Sequence, residues 1–207
     1  MNKRGTLMQK KLLQIIEASL LSASRPLTIE ALQAIFEENE KPSREEIKEV
    51  LKEIELQSLT RGVELKLVSS GYRLQVRQEF SPYIAKLWKE KPKSLSKATL
   101  ETLSLIAYRQ PITRGEIEDI RGVSIGTQLI RGLMERGWIK VVGHRDVPGR
   151  PSLYSTTKEF LDYFGLQHLR ELPRLPDLPE VETLDMNLPL EKEEHEIEQP
   201  SKDSLHS

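Results

Sequence analysis

The basic and aromatic side chains between positions 109 and 164 are the residues of this chain best suited to binding chemistry. Arg145 and Arg150 lie in a glycine-containing basic segment, residues 143–151, and Tyr154 follows it closely. Arginine and tyrosine are enriched among the residues that anchor protein interfaces, and an arginine guanidinium also binds phosphate oxygens. These residues therefore indicate a binding surface for a protein or for a nucleic acid.

Catalytic and metal-binding chemistry has no comparable support in the sequence. No glycine-rich phosphate loop and no nucleophile elbow is present, and the chain has no cysteine. No two histidines have the spacing of metal ligands on a helix; they are His144, His168, His195 and His206. We expect neither an enzyme nor a bound metal or cofactor, and we interpret His144 as a solvated loop residue.

The near-neutral charge of the chain conceals two regions of opposite sign. The sequence has 31 basic and 32 acidic side chains, a net charge of −1. Residues 177–207 contain ten acidic residues and two lysines and carry about −8. Residues 1–176 therefore carry about +7, from 29 basic and 22 acidic residues. A charge of this size permits a nucleic acid or an acidic protein as a partner without requiring one.

The sequence also predicts where the chain resides. Absence of cysteine fits a reducing cytosol. The apolar run after the basic N-terminus is interrupted by polar residues such as Gln9, Lys10 and Gln14, whereas a signal peptide needs a continuous apolar core. No apolar stretch approaches the ~20 residues that span a bilayer. We therefore expect a cytoplasmic protein without a membrane contact.

Helical and strand patterns in residues 94–169 follow the order of a winged-helix domain, three helices and then a two-stranded wing. The prediction rests on helical periodicity, on a turn at Gln110-Pro111 and on alternating strands. The elements are a helix at 97–108, a helix carrying Ile112, Ile117 and Ile120, a helix within 124–137, and strands at 138–142 and 152–157 that flank the basic segment.

The residues before position 80 repeat this order. Thr28 is a candidate N-cap, and Ser43 with Glu46 forms a capping-box pattern. At an offset of 85 positions, residues 25–28 align with residues 110–113, and Ile35 aligns with Ile120, which indicates a duplicated domain. The predicted elements are helices at 8–22, 28–36 and 43–59, the last with a core face of Ile47, Val50, Leu51, Ile54 and Leu59, a hairpin at 63–76, and a bridging helix within 79–95.

The predicted fold class is α+β, mostly α with small β wings: two tandem winged-helix domains and a disordered acidic C-terminal tail. We place an N-terminal domain with the bridging helix at residues 1–92, a C-terminal domain at 93–172 and the tail at 173–207. The apolar and aromatic run at 158–169 is expected to cap the second domain or to meet a partner. The tail is acidic and contains proline, a composition typical of disorder.

DNA binding is the main alternative that the residues leave open. A winged helix commonly places its third helix in the major groove. The first such helix carries five glutamates against three basic residues within positions 44–55, so phosphates would repel it. The second is more basic, and its helix and wing offer phosphate contacts through Gln128, Arg131, Arg136, Lys140, His144, Arg145 and Arg150.

Several linked motifs resemble the segregation and condensation protein B family. The resemblance covers the second predicted domain almost completely and the first mainly in pattern, through residues 71–74. Ser155 stands where the family usually has a smaller residue, often glycine. The motifs lie at residues 99–114, 116–123, 149–151 and 160–166.

This resemblance implies a non-enzymatic subunit of the bacterial condensin-like SMC complex. Family members dimerise largely through the first winged helix and bind the kleisin subunit, segregation and condensation protein A, while the ATPase is the SMC partner. It implies a nucleoid-associated protein of chromosome condensation and partition. A winged-helix transcriptional regulator, which the basic residues of the second helix and wing permit, is the alternative. As hypotheses, the kleisin surface contains Arg109, Arg121, Arg145, Arg150 and Tyr154, and the dimer contact contains Leu7, Leu12, Ile16 and Phe36.

Overall fold

The computed structural model describes the backbone of residues 3–87 and 95–174 and the side chains from residue 8 onward. The fold is mixed α+β, mostly helical with small sheets, as the sequence predicted. The acidic part of the predicted tail lies outside the described residues, and so does the end of the predicted bridging helix.

The first winged helix has three helices followed by a hairpin. Helix α1 begins at Lys3, five residues before the predicted start. In order, the elements are α1 (Lys3–Ser22), α2 (Ile29–Gln33), α3 (Arg44–Ser58), β1 (Val63–Val68) and β2 (Gly71–Val76).

Side-chain caps begin two of these helices where the sequence predicted them. The Ala31 amide donates to Thr28 Oγ1 at 3.1 Å, so Thr28 caps α2. At α3 the Glu46 amide donates to Ser43 Oγ at 3.2 Å, and the Ser43 amide donates to Glu46 Oε2 at 2.8 Å. This reciprocal capping box satisfies backbone donors that the first helical turn leaves free.

The core of the first winged helix consists of apolar residues from its three helices. Leu59, predicted as core, is the residue after α3 and is 65% exposed instead; Ile35, within the predicted helix at 28–36, is 49% exposed. Both follow the end of a helix, where the helical period no longer continues. The buried cluster is Ile16, Leu20, Ile29, Leu32, Ile47, Val50, Leu51 and Ile54.

A close backbone contact fixes the hairpin against the loop before α2. Leu27 and Tyr72 exchange backbone hydrogen bonds of 2.8 Å in both directions. A β-carbon on Gly71 would lie 2.4 Å from the Leu27 carbonyl oxygen, and Gly71 has a φ of +131°. Only glycine accommodates both the close approach and the backbone angle.

The connection after the hairpin is a series of short turns where the sequence predicted one bridging helix. Pro82 lies in the first turn of α4 (Ser81–Ile84), and 3₁₀ turns at Gln78–Phe80 and Ala85–Leu87 flank it. None of the described side chains of these turns is buried. Without a buried face, this segment has little packing to stabilise a continuous helix.

The second winged helix has the predicted order with one added strand. Strand β3 lies between the first two helices and pairs with β5, giving the sheet order β3-β5-β4. The elements are α5 (Lys97–Arg109), β3 (Ile112–Thr113), α6 (Arg114–Arg121), α7 (Thr127–Glu135), β4 (Ile139–His144), β5 (Ser152–Thr156) and α8 (Lys158–Tyr163).

The added strand matches the backbone contact of the first winged helix. Ile112 pairs with Tyr154 in the sheet, just as Leu27 pairs with Tyr72. Leu27 and Ile112 are also equivalent at the predicted offset of 85 positions. The two halves therefore share a backbone pairing in addition to their element order.

The core of the second winged helix is separate from the first and includes α8. Phe160 is 3% exposed and packs with Trp138, whereas Tyr163 is 60% and Phe164 42% exposed. The prediction that Ile120 belongs to the apolar face is wrong, since it is 54% exposed. The cluster is Leu103, Ile106, Ala107, Ile112, Ile117, Ile125, Ile130, Leu133, Trp138, Ile139 and Phe160.

Candidate partner-binding surfaces

Two of the predicted arginines lie at one cleft of the second winged helix. Arg109 ends α5 and Arg145 follows β4, and both line a cleft of about 370 Å³. Acidic and apolar side chains share it, so it offers a charged partner several hydrogen bonds beside an apolar floor. The remaining lining residues are Pro111, Ile112, Glu116, Asp119 and Ile120.

Glu116 links this cleft to the start of α6. The Thr113 amide donates to Glu116 Oε2 at 2.8 Å, and the Glu116 amide donates to Thr113 Oγ1 at 3.2 Å, which is a second capping box. Arg145 donates to the other carboxylate oxygen, Oε1. The Thr113 amide, and next the Arg145 guanidinium, hold the pKa of Glu116 below its usual range. Glu116 therefore stays charged and orients Arg145 at the cleft.

Gln110 fixes the turn that follows Arg109 to the sheet. Its side-chain oxygen accepts a hydrogen bond of 2.7 Å from the Thr156 amide and one from the Ser155 hydroxyl. Its side-chain nitrogen donates to the Ala107 carbonyl at 3.1 Å. The Ser155 hydroxyl thus has a specific partner in Gln110. No local sequence pattern indicates the bond between Ser155 and Gln110, because the two residues are 45 positions apart.

The other three predicted kleisin-binding residues are not at this cleft. The Arg121 side chain is only 10% exposed and donates to Glu101 at 3.1 Å, so it offers little surface to a partner. Arg150 is exposed at the turn between β4 and β5, with a φ of +38°. Tyr154 is half-buried, packs against the second core and lines a separate cleft beside α7.

The exposed surface of α7 carries less free positive charge than its sequence indicates. The Arg131 Nε donates to Glu135 at 2.8 Å, and both side chains are more than 60% exposed. The Arg136 guanidinium lies 5.2 Å from the centre of the Trp138 ring, within the range of a cation–π contact. Both arginines that would face phosphates in a DNA complex therefore already have partners.

The first winged helix has a larger groove between α1 and α3. Leu12 and Phe36, two of the predicted dimer residues, are half-buried and line this groove of about 620 Å³. Met8 lies beside them and is 72% exposed. Ile16 is fully buried in the core and presents no surface to a second copy. The Leu7 side chain lies outside the described residues.

The described part of the chain has neither a metal-binding cluster nor a membrane-spanning helix. Within residues 3–87 and 95–174, no group of three or more histidine, cysteine or acidic side chains is placed to hold a metal ion. Among the same residues, no helix is both long and apolar enough to cross a bilayer.

Comparison with known proteins identifies the family. Residues 14–175 match the family model described as segregation and condensation complex subunit ScpB. A segregation and condensation protein B homolog of Coxiella burnetii is 49% identical over 90% of this chain and 92% of its own, and segregation and condensation protein B of Desulforamulus reducens is 45% identical over 83% and 93%.

One similar solved structure is described as a dimer of the ScpB N-terminal domain complexed with an ScpA peptide. It is 26% identical, covers 38% of this chain and 96% of that chain, and has a TM-score of 0.35. The family match spans both winged helices, and the two relatives are covered almost end to end. The chain therefore belongs to the family of ScpB subunits of the segregation and condensation complex.

Proposed function

We propose that this chain is a non-enzymatic, cytoplasmic adaptor that dimerises and binds the kleisin subunit of a bacterial SMC complex. In this role it supports chromosome condensation and partition at the nucleoid, and it reaches the SMC ATPase only through the kleisin. The observation that supports the proposal most is family membership over both winged helices, since the family is that of a complex subunit. The cleft at Arg109 and Arg145 supplies a surface for the partner.

The chemistry of this cleft suits an extended peptide with mixed side chains. The Arg109 guanidinium is available for acidic residues or backbone carbonyls, Arg145 is oriented beside it by Glu116, and the exposed Ile120 provides apolar contact. The cleft carries two arginines and two carboxylates, so a polyanion gains little net attraction there. A kleisin segment that orders on binding obtains specificity from such spaced polar contacts.

Substitution of both Arg109 and Arg145 tests the role of this cleft in kleisin binding. We expect Arg109→Ala with Arg145→Ala to weaken kleisin binding by tenfold or more, because each removes a charge-assisted contact at the centre of the cleft. Isothermal titration with the kleisin subunit of the same organism measures this. The matched control is Arg25→Ala, on an exposed turn of the first winged helix. Equal affinities for the double variant and the control would contradict the assignment.

Dimerisation is assigned to the groove between α1 and α3. A second copy that covers Met8, Leu12 and Phe36 removes apolar surface from water, which stabilises association. Leu12→Asp is expected to shift the dimer to monomer in light scattering. Leu21→Asp is the control, because Leu21 is on the same helix and is already 64% exposed. A dimer that survives Leu12→Asp, or a chain truncated to residues 93–207 that still dimerises, would contradict this assignment.

DNA binding as a transcriptional regulator is the alternative that we favour less. The solvent-facing positions of α3 include Glu45, Glu49 and Glu53, all exposed. On α7, the Arg131 charge is balanced by Glu135. The exposed Lys140 and Arg150 of the second wing still permit a phosphate contact. A regulator would shift a duplex with affinity that falls steeply between low and physiological salt.

A further inference from the structure

The first wing is the hairpin of β1 and β2, and its tip contacts the end of α8 in the second winged helix. The Ser70 amide donates to the Asp162 carboxylate at 2.9 Å, across 92 positions of sequence. The neighbouring Ser69 amide donates to the Leu166 carbonyl at 3.0 Å. All four residues are half-buried. The two winged helices are thus joined by direct hydrogen bonds as well as by the connecting chain.

Both sides of this contact have a fixed local conformation. Ser69 and Ser70 form the two-residue turn of a hairpin whose last pair is Val68 with Gly71. On the other side, α8 ends in a Schellman motif. The Leu166 amide donates to the Leu161 carbonyl at 2.8 Å, and the Gly165 amide donates to the Asp162 carbonyl at 3.2 Å. The two amide donors of the hairpin turn and the two acceptors at the end of α8 are therefore each held in place by their own element.

The burial of Val68 is a second, independent sign of this contact. Strand alternation places Val68 on the face of the hairpin with Glu64 and Lys66, opposite the face that packs on the first core. It is nevertheless only 2% exposed and belongs to neither core cluster. Gly165 lies beside Lys66 on this face, since a β-carbon built on Gly165 would be 3.8 Å from Lys66 Cε. We conclude that the end of α8 covers Val68.

We propose that these four residues, Ser69, Ser70, Asp162 and Leu166, form a wing latch that sets the arrangement of the two winged helices for kleisin binding. This inference rests on the proposed function. Asp162 is a positioning residue: it contacts the first wing and acts on the partner only through the arrangement of the two halves. A partner segment that touches both winged helices binds more tightly when they are already placed, because the binding-competent fraction is higher.

Cross-linking tests the contact itself. The chain has no cysteine, so Ser70→Cys with Asp162→Cys introduces the only two thiols. Under mild oxidation we expect a disulfide within one chain, seen as loss of both free thiols and faster migration on a non-reducing gel. The control is Ser70→Cys with Lys158→Cys, one helical turn earlier on α8, which should keep its thiols. Equal oxidation of the two pairs, or disulfide-linked dimers, would overturn the latch.

The variant Ser70→Cys with Asp162→Cys also tests whether the latch affects kleisin binding. Reduced, it lacks the Asp162 carboxylate, and we expect kleisin affinity to fall about tenfold or more, as loss of a hydrogen bond to a charged group predicts. Oxidised, it should regain at least the affinity of the unchanged protein, whereas the Lys158 control should not respond to reductant. A locked variant that binds equally in both redox states would overturn the positioning role.

The unchanged protein separates failure of the latch from failure of the proposed function. If the unchanged protein does not bind the kleisin subunit at all, the proposed function is wrong, and the positioning role of the latch is then wrong as well. The cross-linking result is unaffected and still decides whether the contact exists. If the unchanged protein binds and the cross-link does not form, only the latch is wrong.

Discussion

Single residues fix the backbone where the first wing meets the loop before α2, and Gly71 is the clearest case. A side chain there would collide with the Leu27 carbonyl at a φ of +131°. We expect Gly71→Ala to lower the free energy of unfolding by more than about 2 kcal/mol, because both strain and a backbone shift are involved.

Gly62→Ala is the matched control for this prediction. Its nearest neighbour would be the Phe80 ring at 3.7 Å, an ordinary contact distance, and its φ is outside the left-handed range. Urea denaturation of both variants measures the difference. Similar midpoints would show that the loop before α2 moves away from position 71 at little cost.

Glu116 makes the stability of the second winged helix depend on pH. Its pKa is lowered in the folded state, chiefly by the Thr113 amide. Its contribution is therefore complete well above the ordinary glutamate value of 4.5 and is lost as the pH falls through the lower folded value. We expect Glu116→Gln to reduce the free energy of unfolding at neutral pH by about 1 kcal/mol, the usual value of a helix cap.

As the pH falls through the lowered folded pKa of Glu116, the difference between Glu116→Gln and the unchanged protein should shrink, because the carboxyl becomes neutral in both states of the unchanged chain. Urea midpoints from pH 3 to pH 7 follow this directly. Glu55→Gln, at an exposed position late in α3, is the control. A difference that stays constant over this range would contradict the role of the Glu116 charge.

Among the elements, α8 belongs to the second core at one side and faces solvent at the other. Phe160 is buried and Tyr163 is largely exposed, although both rings lie in one aromatic cluster with Trp138 and Phe164. We expect Phe160→Ala to cost about 3–4 kcal/mol, from lost burial and a residual cavity. Tyr163→Ala should cost less than about 1 kcal/mol. Equal urea midpoints would place α8 outside the core.

The sequence predicted those elements whose signals are local. The capping pattern of Ser43 and Glu46, the strand alternation of the hairpins and the order of three helices and a wing are all present in the structure. Strand β3 was missed because two residues are too few to show a period. Leu59 was misplaced because periodicity does not report where a helix ends.

Contacts between distant residues could not be predicted from one sequence. Gln110 bonds to Thr156, and Ser70 bonds to Asp162, but nothing in the local composition marks either pair. The same limit applies to the candidate site. Residue type suggested Arg109 and Arg145 as surface groups, but it did not distinguish them from Arg121, whose side chain is almost buried against Glu101.

At the scale of the whole molecule, two similar winged helices with different surfaces are joined by the wing latch. The first has the groove between α1 and α3 that we assign to a second copy, and the second has the cleft that we assign to the kleisin. Under the proposed function, a kleisin segment that touches both winged helices would gain affinity from a fixed arrangement, because less order must then be imposed on binding.

The most direct test of this account is light scattering after size-exclusion chromatography, with the protein alone, with the kleisin subunit of the same organism and with duplex DNA. We predict a dimer, with twice the chain mass of 23.8 kDa, that takes the kleisin into a stable larger species and leaves the duplex unbound at physiological salt. A monomer that ignores the kleisin but shifts with the duplex would contradict the account and identify a DNA-binding protein.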